Sequence, residues 1–253
     1  MTLGYDRRGS GEPLVLIHPL GADRHVWSPV MNLLAAERDV VALDLPGFGA
    51  SAPLADGRVP HPAALAEIVG AFAREMGIER PHVAGNSLGG WVALELALSG
   101  AARSVTAIAA AGLWSRPLAP SSAPAHRLVR RAAPFLPALL ATRAGRRLAL
   151  ATTVAHPDRV PREDALRLVR AYGAAPGFAD VNAAMRAGRF ESLDRIAVPV
   201  TLAWPDRDRV VRRPRHVPAN VRWITLEGCG HVPMWDDPPQ VASALLRGSS
   251  WRD

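Results

Sequence analysis

The feature that most constrains this chain is an alternation of short apolar runs with helical patterns. Residues 14–18 (LVLIH), 40–43 (VVAL), 82–85 and 105–109 are too short for helices and partly β-branched, and most are closed by Pro or Gly within a few positions. Runs of that kind read as strands buried on both faces. Between them, residues 28–37, 61–77 and 88–99 carry helical patterns. The first of these has Ser28 as N-cap and Pro29 in its opening turn. Further along, residues 200–204 and 223–226 read as strands and 239–247 as a closing helix. Strands alternating with helices place the chain in the α/β class, with a mostly parallel sheet covered by helices on both faces.

The alternation breaks between residues 114 and 195. That segment is rich in Ala, Arg and Pro, with helical stretches at 162–171 and 178–188 and no convincing strand. We read it as a helical cap inserted into a core made of residues 1–113 and 196–253. Not one acidic residue lies between Glu95 and Asp158, whereas Arg103, Arg116, Arg127, Arg130, Arg131, Arg143, Arg146 and Arg147 do. Solvated helix faces explain such a run, and an anion-steering surface is the competing explanation.

Charge narrows the function classes. A net charge of +7 invites a nucleic-acid reading, but the chain has no lysine, so all 30 basic residues are arginine and accompany 23 prolines. This reads as a compositional bias rather than a patch, and nucleic acid is not an expected partner. Without lysine there is no P-loop lysine and no Schiff base. Cys229, the only cysteine, has no partner for an internal disulfide, and scattered histidines give no zinc spacing. The opening MTLGYDRRG has no apolar stretch for a signal peptide, and the apolar tract 132–155 is interrupted by Arg143, Arg146 and Arg147. A cytoplasmic location with no membrane partner is therefore expected.

One stretch carries chemistry. In PHVAGNSLGGWVALELA (81–97), Gly85, Ser87 and Gly89 fill G-x-S-x-G where a strand turns into a helix. A strained turn there exposes a serine Oγ above the sheet, and the helix N-terminus faces it with its dipole. A nucleophilic serine needs a base, and the base an orienting acid. Of eight histidines, His231 alone lies in a Gly-rich loop just after a C-terminal strand, ITLEGCGHVP. Asp206 and Asp208, in WPDRDRVV after the preceding strand, are both candidates for the acid.

On these residues the chain resembles the α/β-hydrolase superfamily, in its small-molecule branch with a helical cap. The similarity spans residues 11 to 247 and rests on HPLG (18–21), DLPGFGAS (44–51), GNSLGG (85–90), WPDRD (204–208) and GCGHVPMWDDP (228–238). The resemblance implies the α/β-hydrolase fold. Matching Pro205 to the glycine of the family's Gly-x-x-Asp makes Asp208 the acid beside Ser87 and His231. The backbone amides of Leu20 and Leu88 map to the oxyanion hole. DLPGFGAS is assigned structure rather than chemistry. His18, Trp91 and Trp114 are candidate pocket residues, with Trp235 behind the base, and core packing is the competing reading for the tryptophans. The implied activity is hydrolysis of a small, largely apolar ester, lactone or vinylogous ketone, with no cofactor or metal. A haloperoxidase or perhydrolase, a lyase, an acyltransferase and a non-catalytic ligand receptor are the alternatives on the same fold.

Overall fold

The computed structural model describes residues 2–54 and 58–250. Among them, β1 (Tyr5–Arg8), β2 (Pro13–Ile17), β3 (Asp39–Leu43), β4 (His82–Asn86), β5 (Ser104–Ile108), β6 (Val200–Pro205) and β7 (Val221–Leu226) form one sheet. The strand order is β1-β3-β2-β4-β5-β6-β7, and only β1 runs antiparallel to its neighbour. Helices α1 (Ser28–Ala35), α2 (Pro62–Glu75) and α3 (Leu88–Leu98) connect the earlier strands. Between β5 and β6 lie α4 (Pro124–Arg131), α5 (Leu136–Ala141), α6 (Arg143–Leu150), α7 (Arg162–Ala174) and α8 (Phe178–Ala187); α9 (Pro238–Gly248) follows β7.

The two-residue period of the strands divides the core into two layers. Val15, Ile17, Val41 and Leu43 point to the face covered by α2 and α3, while Leu14, Leu16, Val40 and Ala42 point to the face covered by α1 and α9. Each valine, leucine or isoleucine among them, buried fully, contributes about 1.5–3 kcal/mol. Helix α3 sits against the middle of the sheet and buries Leu88, Trp91, Val92, Leu94 and Leu96, so it has no polar stripe.

The structure adds one strand to those the sequence pattern marks and corrects one cap. β1 has the sequence YDRR and no apolar run; it holds the sheet edge through backbone pairing with β3, which hydrophobic pattern does not reveal. Ser28 is the first residue of α1 rather than its N-cap. A 3₁₀ turn, Arg24–Trp27, precedes the helix, and Asp23 caps that turn by accepting from the His25 amide at 2.9 Å.

The approach of α3 to the sheet depends on glycine. A Cβ at Gly85 would lie 2.1 Å from the Gly89 carbonyl oxygen, and one at Gly89 would lie 2.1 Å from that of Ile17. Helix and strands therefore touch backbone to backbone. The contact leaves the first turn of α3 against the end of β2, where His18 begins the next loop. His18 is fully buried. Its Nε2 accepts from the Leu45 amide at 2.9 Å, which makes Nδ1 the protonated nitrogen, and Nδ1–H donates to the Pro19 carbonyl at 2.8 Å. The ring thus pins the loop after β2 to the loop after β3.

Two outcomes are expected. Gly89→Ala, which must push α3 away from β2, should lower the unfolding free energy by about 1–3 kcal/mol or more in urea titration. Burial holds the His18 pKa below its ordinary 6.5. The unfolded chain then binds a proton that the folded chain refuses, so stability is complete above about pH 6.5 and falls as pH drops below it. The loss should approach about 1.4 kcal/mol per pH unit for one histidine, and His18→Gln should flatten that slope, as measured by urea unfolding at several pH values.

Candidate active site

Ser87 occupies the single-residue turn between β4 and α3, at φ +54° and ψ −113°. A side chain other than glycine seldom adopts positive φ, at a cost of about 1–3 kcal/mol. Three backbone hydrogen bonds hold it there: the Ser87 amide donates to Ile108 O at 2.9 Å, and its carbonyl accepts from Trp91 N at 3.1 Å and Ala111 N at 3.0 Å. Gly85 faces Ile17 across the β2–β4 ladder, so the turn stands beside the loop that starts at His18.

The loops after β6 and β7 are laced together. Asp206 N donates to Leu226 O at 3.1 Å and Arg207 N to Cys229 O at 3.0 Å. This lacing sets Asp208 against His231, whose Nδ1 lies 2.8 Å from Asp208 Oδ2. The other carboxylate oxygen of Asp208 accepts from the amides of Val210 and Val211 at 2.7 and 2.9 Å, which fixes its orientation. Asp206 is exposed, and its carboxylate bonds to nothing among the described residues. With Asp208 accepting at Nδ1–H, Nε2 of His231 carries the lone pair. Neither Nε2 nor Ser87 Oγ has a hydrogen-bond partner among the described residues, and both side chains are nearly enclosed, at 4% and 7% residue exposure.

Asn86 joins the two halves of the site. Buried beside Ser87, it donates from Nδ2 to His231 O at 3.0 Å and to Ile108 O at 3.2 Å. Asp236 supports the same loop from behind, accepting from Gly230 N at 2.8 Å, Ala155 N at 3.0 Å and His156 N at 2.8 Å. Sequence reasoning gave neither residue a role. The only available signals were the position of Asn86 next to the serine and the Asp236–Asp237 pair after the base loop, where Asp237 caps α9.

The amides of Leu20 and Leu88 have no acceptor among the described residues. They come from adjacent segments, because the Gly89 position abuts the carbonyls of both Ile17 and His18. An oxyanion between such amides would be held by donors already in place. The helical segment reaches the same edge. A Cβ on Gly21 would lie 2.5 Å from the Tyr172 ring, Gly177 N donates to Gly47 O at 3.0 Å, and Val232 N donates to Thr153 O at 2.7 Å.

The other proposed positions are engaged by neighbouring residues. His18 offers no free nitrogen to a ligand. Trp91 is fully buried, donates to Glu95 at 2.8 Å and meets His61 and Trp114 edge to face. Trp114 is partly buried and donates to Gly188 O at 2.9 Å, tying the loop after β5 to the end of α8. Trp235 is partly buried in a 3₁₀ turn, and its indole nitrogen has no partner among the described residues. In DLPGFGAS, the buried Asp44 carboxylate accepts from Arg24 N at 2.7 Å and Ala50 N at 2.8 Å and pairs with the Arg24 guanidinium. Cys229 is no rival nucleophile. Burial, reinforced by Asp236, Asp237 and Asp206, pushes its thiol up to about 12. No cluster of three or more metal-ligating side chains occurs among the described residues.

Residues 14–244 match the model of the alpha/beta hydrolase family. Epoxide hydrolase EphH of Mycobacterium tuberculosis is 36% identical over 207 residues, covering 72% of this chain and 92% of that protein. A pimeloyl-[acyl-carrier protein] methyl ester esterase of Aeromonas hydrophila is 44% identical over 100 residues, or 39% of this chain and 37% of that one. A crystal structure described as a membrane phospholipase A superposes with a TM-score of 0.76 at 29% identity, covering 98% of this chain and 83% of its own. With its mostly parallel sheet and a family match over nearly its whole length, this chain belongs to the alpha/beta hydrolase family.

Proposed function

We propose that the chain is a serine hydrolase acting on a small, largely apolar ester, lactone or vinylogous ketone. The observation that carries this is the His231–Asp208 bond, which leaves Nε2 basic, on a loop that Asn86 pins beside Ser87. In this reading His231 takes the Ser87 proton as Oγ adds to a carbonyl, and Asp208 stabilises the imidazolium. The amides of Leu20 and Leu88 hold the oxyanion, each worth roughly 3–4 kcal/mol in the transition state. His231 then returns the proton to the leaving group and activates the water that releases the acyl group. The site, built on a core of residues 1–113 and 196–253, is roofed by a cap of residues 114–195. The substrate is a small molecule, and the chemistry calls on no metal or cofactor.

The named activity of the epoxide hydrolase relative does not transfer on chemical grounds. A carboxylate that opens an epoxide forms an ester, which water can cleave. Serine Oγ would form an ether, with no carbonyl for water to attack, and the enzyme would stall after one event. An acyl substrate matches the residue present, and the methyl ester esterase among the relatives acts by its name on such a bond.

A fluorophosphonate probe should label Ser87 stoichiometrically, and p-nitrophenyl butyrate should be turned over. Ser87→Ala should lose labelling and about 10⁶ in kcat. Labelling with no net hydrolysis across esters, lactones and ring-fission dienones would move the assignment to a lyase or acyltransferase. Turnover of styrene oxide would refute the nucleophile argument. Asp208→Asn should reduce kcat by roughly 10⁴, whereas Asp206→Asn should leave it at the wild-type level; the reverse pattern in steady-state kinetics would reassign the acid.

A further inference from the structure

The described residues include eight exposed large hydrophobic side chains: Tyr5, Leu33, Val59, Leu128, Phe135, Leu139, Leu148 and Val210. Four of these eight fall between positions 128 and 148, on α4, α5, α6 and the turn that joins α4 to α5. Leu148, Phe135 and Leu128 are exposed by 77%, 72% and 68%. Exposure concentrated in one stretch of the chain differs from large apolar side chains exposed singly across a surface.

These side chains are not turned out by accident of a loose segment. Leu136, Leu140 and Leu150, from the same stretch, are buried in one cluster with Ala165 and Val169 of α7. The inner faces of α5 and α6 are therefore spoken for, and their remaining leucines point the other way. Gly145 fits against the Leu139 carbonyl so closely that a Cβ would lie 1.8 Å from it, which locks α6 to the end of α5.

Every charged residue within positions 124–150 is an arginine: Arg127, Arg130, Arg131, Arg143, Arg146 and Arg147. Arg147 pairs with Asp158 at 3.4 Å and Arg146 donates to the Leu140 and Ala141 carbonyls. Arg130 and Arg131, one turn from Leu128, have no ion-pair partner among the described residues. Short helices that display aliphatic and phenyl tips between arginines match the boundary between headgroups and acyl chains. The tips enter the acyl region, and the guanidinium groups remain with the phosphates on their flexible stems.

From this juxtaposition we propose that the outer surface of α4 to α6 docks on an anionic phospholipid bilayer. The charge alone would suit any polyanion, but the aliphatic tips have no counterpart on a nucleic-acid backbone, whereas an acyl layer accommodates all four. The mode is peripheral: among the described residues, no helix is long and apolar enough to cross a membrane. The sequence reading of no membrane partner followed from the interrupted apolar tract, which excludes a span and is silent on a surface contact.

The test is cosedimentation of the full chain with phosphatidylglycerol vesicles and, separately, phosphatidylcholine vesicles. Binding is expected to the first and not the second. Arg130→Gln and Arg131→Gln should each weaken it about fivefold. The triple variant Leu128→Ser, Phe135→Ser, Leu148→Ser should retain the wild-type circular dichroism spectrum and lose binding to the phosphatidylglycerol vesicles. Phe135→Trp should gain blue-shifted emission, quenched by brominated lipid beyond the wild-type tryptophans. The proposal is overturned by absent vesicle binding, by binding indifferent to the triple variant, or by an unquenched Trp at position 135. It is also overturned if double-stranded DNA binds as tightly as the vesicles, or if the triple variant only dissolves a self-associated species.

Discussion

The structure depends on backbone touching backbone where α3 meets the sheet. Gly85 and Gly89 carry no Cβ because each would place one about two ångströms from a carbonyl oxygen. That contact brings the helix N-terminus to the ends of β2 and β4 and forces the one residue between strand and helix into positive φ. A strained serine is affordable there because its amide and carbonyl are both engaged and the surrounding helix is buried nearly all round. The placement of Leu20, Leu88 and His18 follows from the same approach.

Around this point the carboxyl edge of the sheet acts as a common attachment line. The loops after β2, β3, β6 and β7 each bond to a neighbour: His18 to Leu45, Arg207 to Cys229, Asn86 to His231. The helical insertion adds its own ties at Gly21, Gly47 and Gly230. Loops so interlocked lose little freedom on binding a ligand, and donors held in this way need not reorganise as charge develops.

Much of the architecture was legible because strands buried on both faces are written as continuous apolar runs, as in LVLIH and VVAL. The edge strand YDRR was not, since backbone pairing at a sheet edge leaves no apolar trace. Of the site, Ser87 and His231 stood out through their glycine-rich surroundings. Which of Asp206 and Asp208 meets the imidazole was open on the residues alone and came from the family pattern, because two carboxylates two positions apart differ only in where the turn points them. Asn86 and Asp236 were invisible for another reason: each acts through backbone groups distant in sequence, and no spacing rule encodes those partners. The pocket role suggested for His18 came from its position at a strand end, where the structure instead uses both its nitrogens internally.

Asp236 has a mechanical consequence. One carboxylate oxygen serves both Gly230 and Ala155, and the other holds His156, so this one carboxylate, with the Val232–Thr153 bond beside it, ties the imidazole-bearing loop to residues 153–156. Prising up residues 153–156 would break bonds that the imidazole-bearing loop shares with them. Any opening that leaves that loop undisturbed has to form away from residues 153–156.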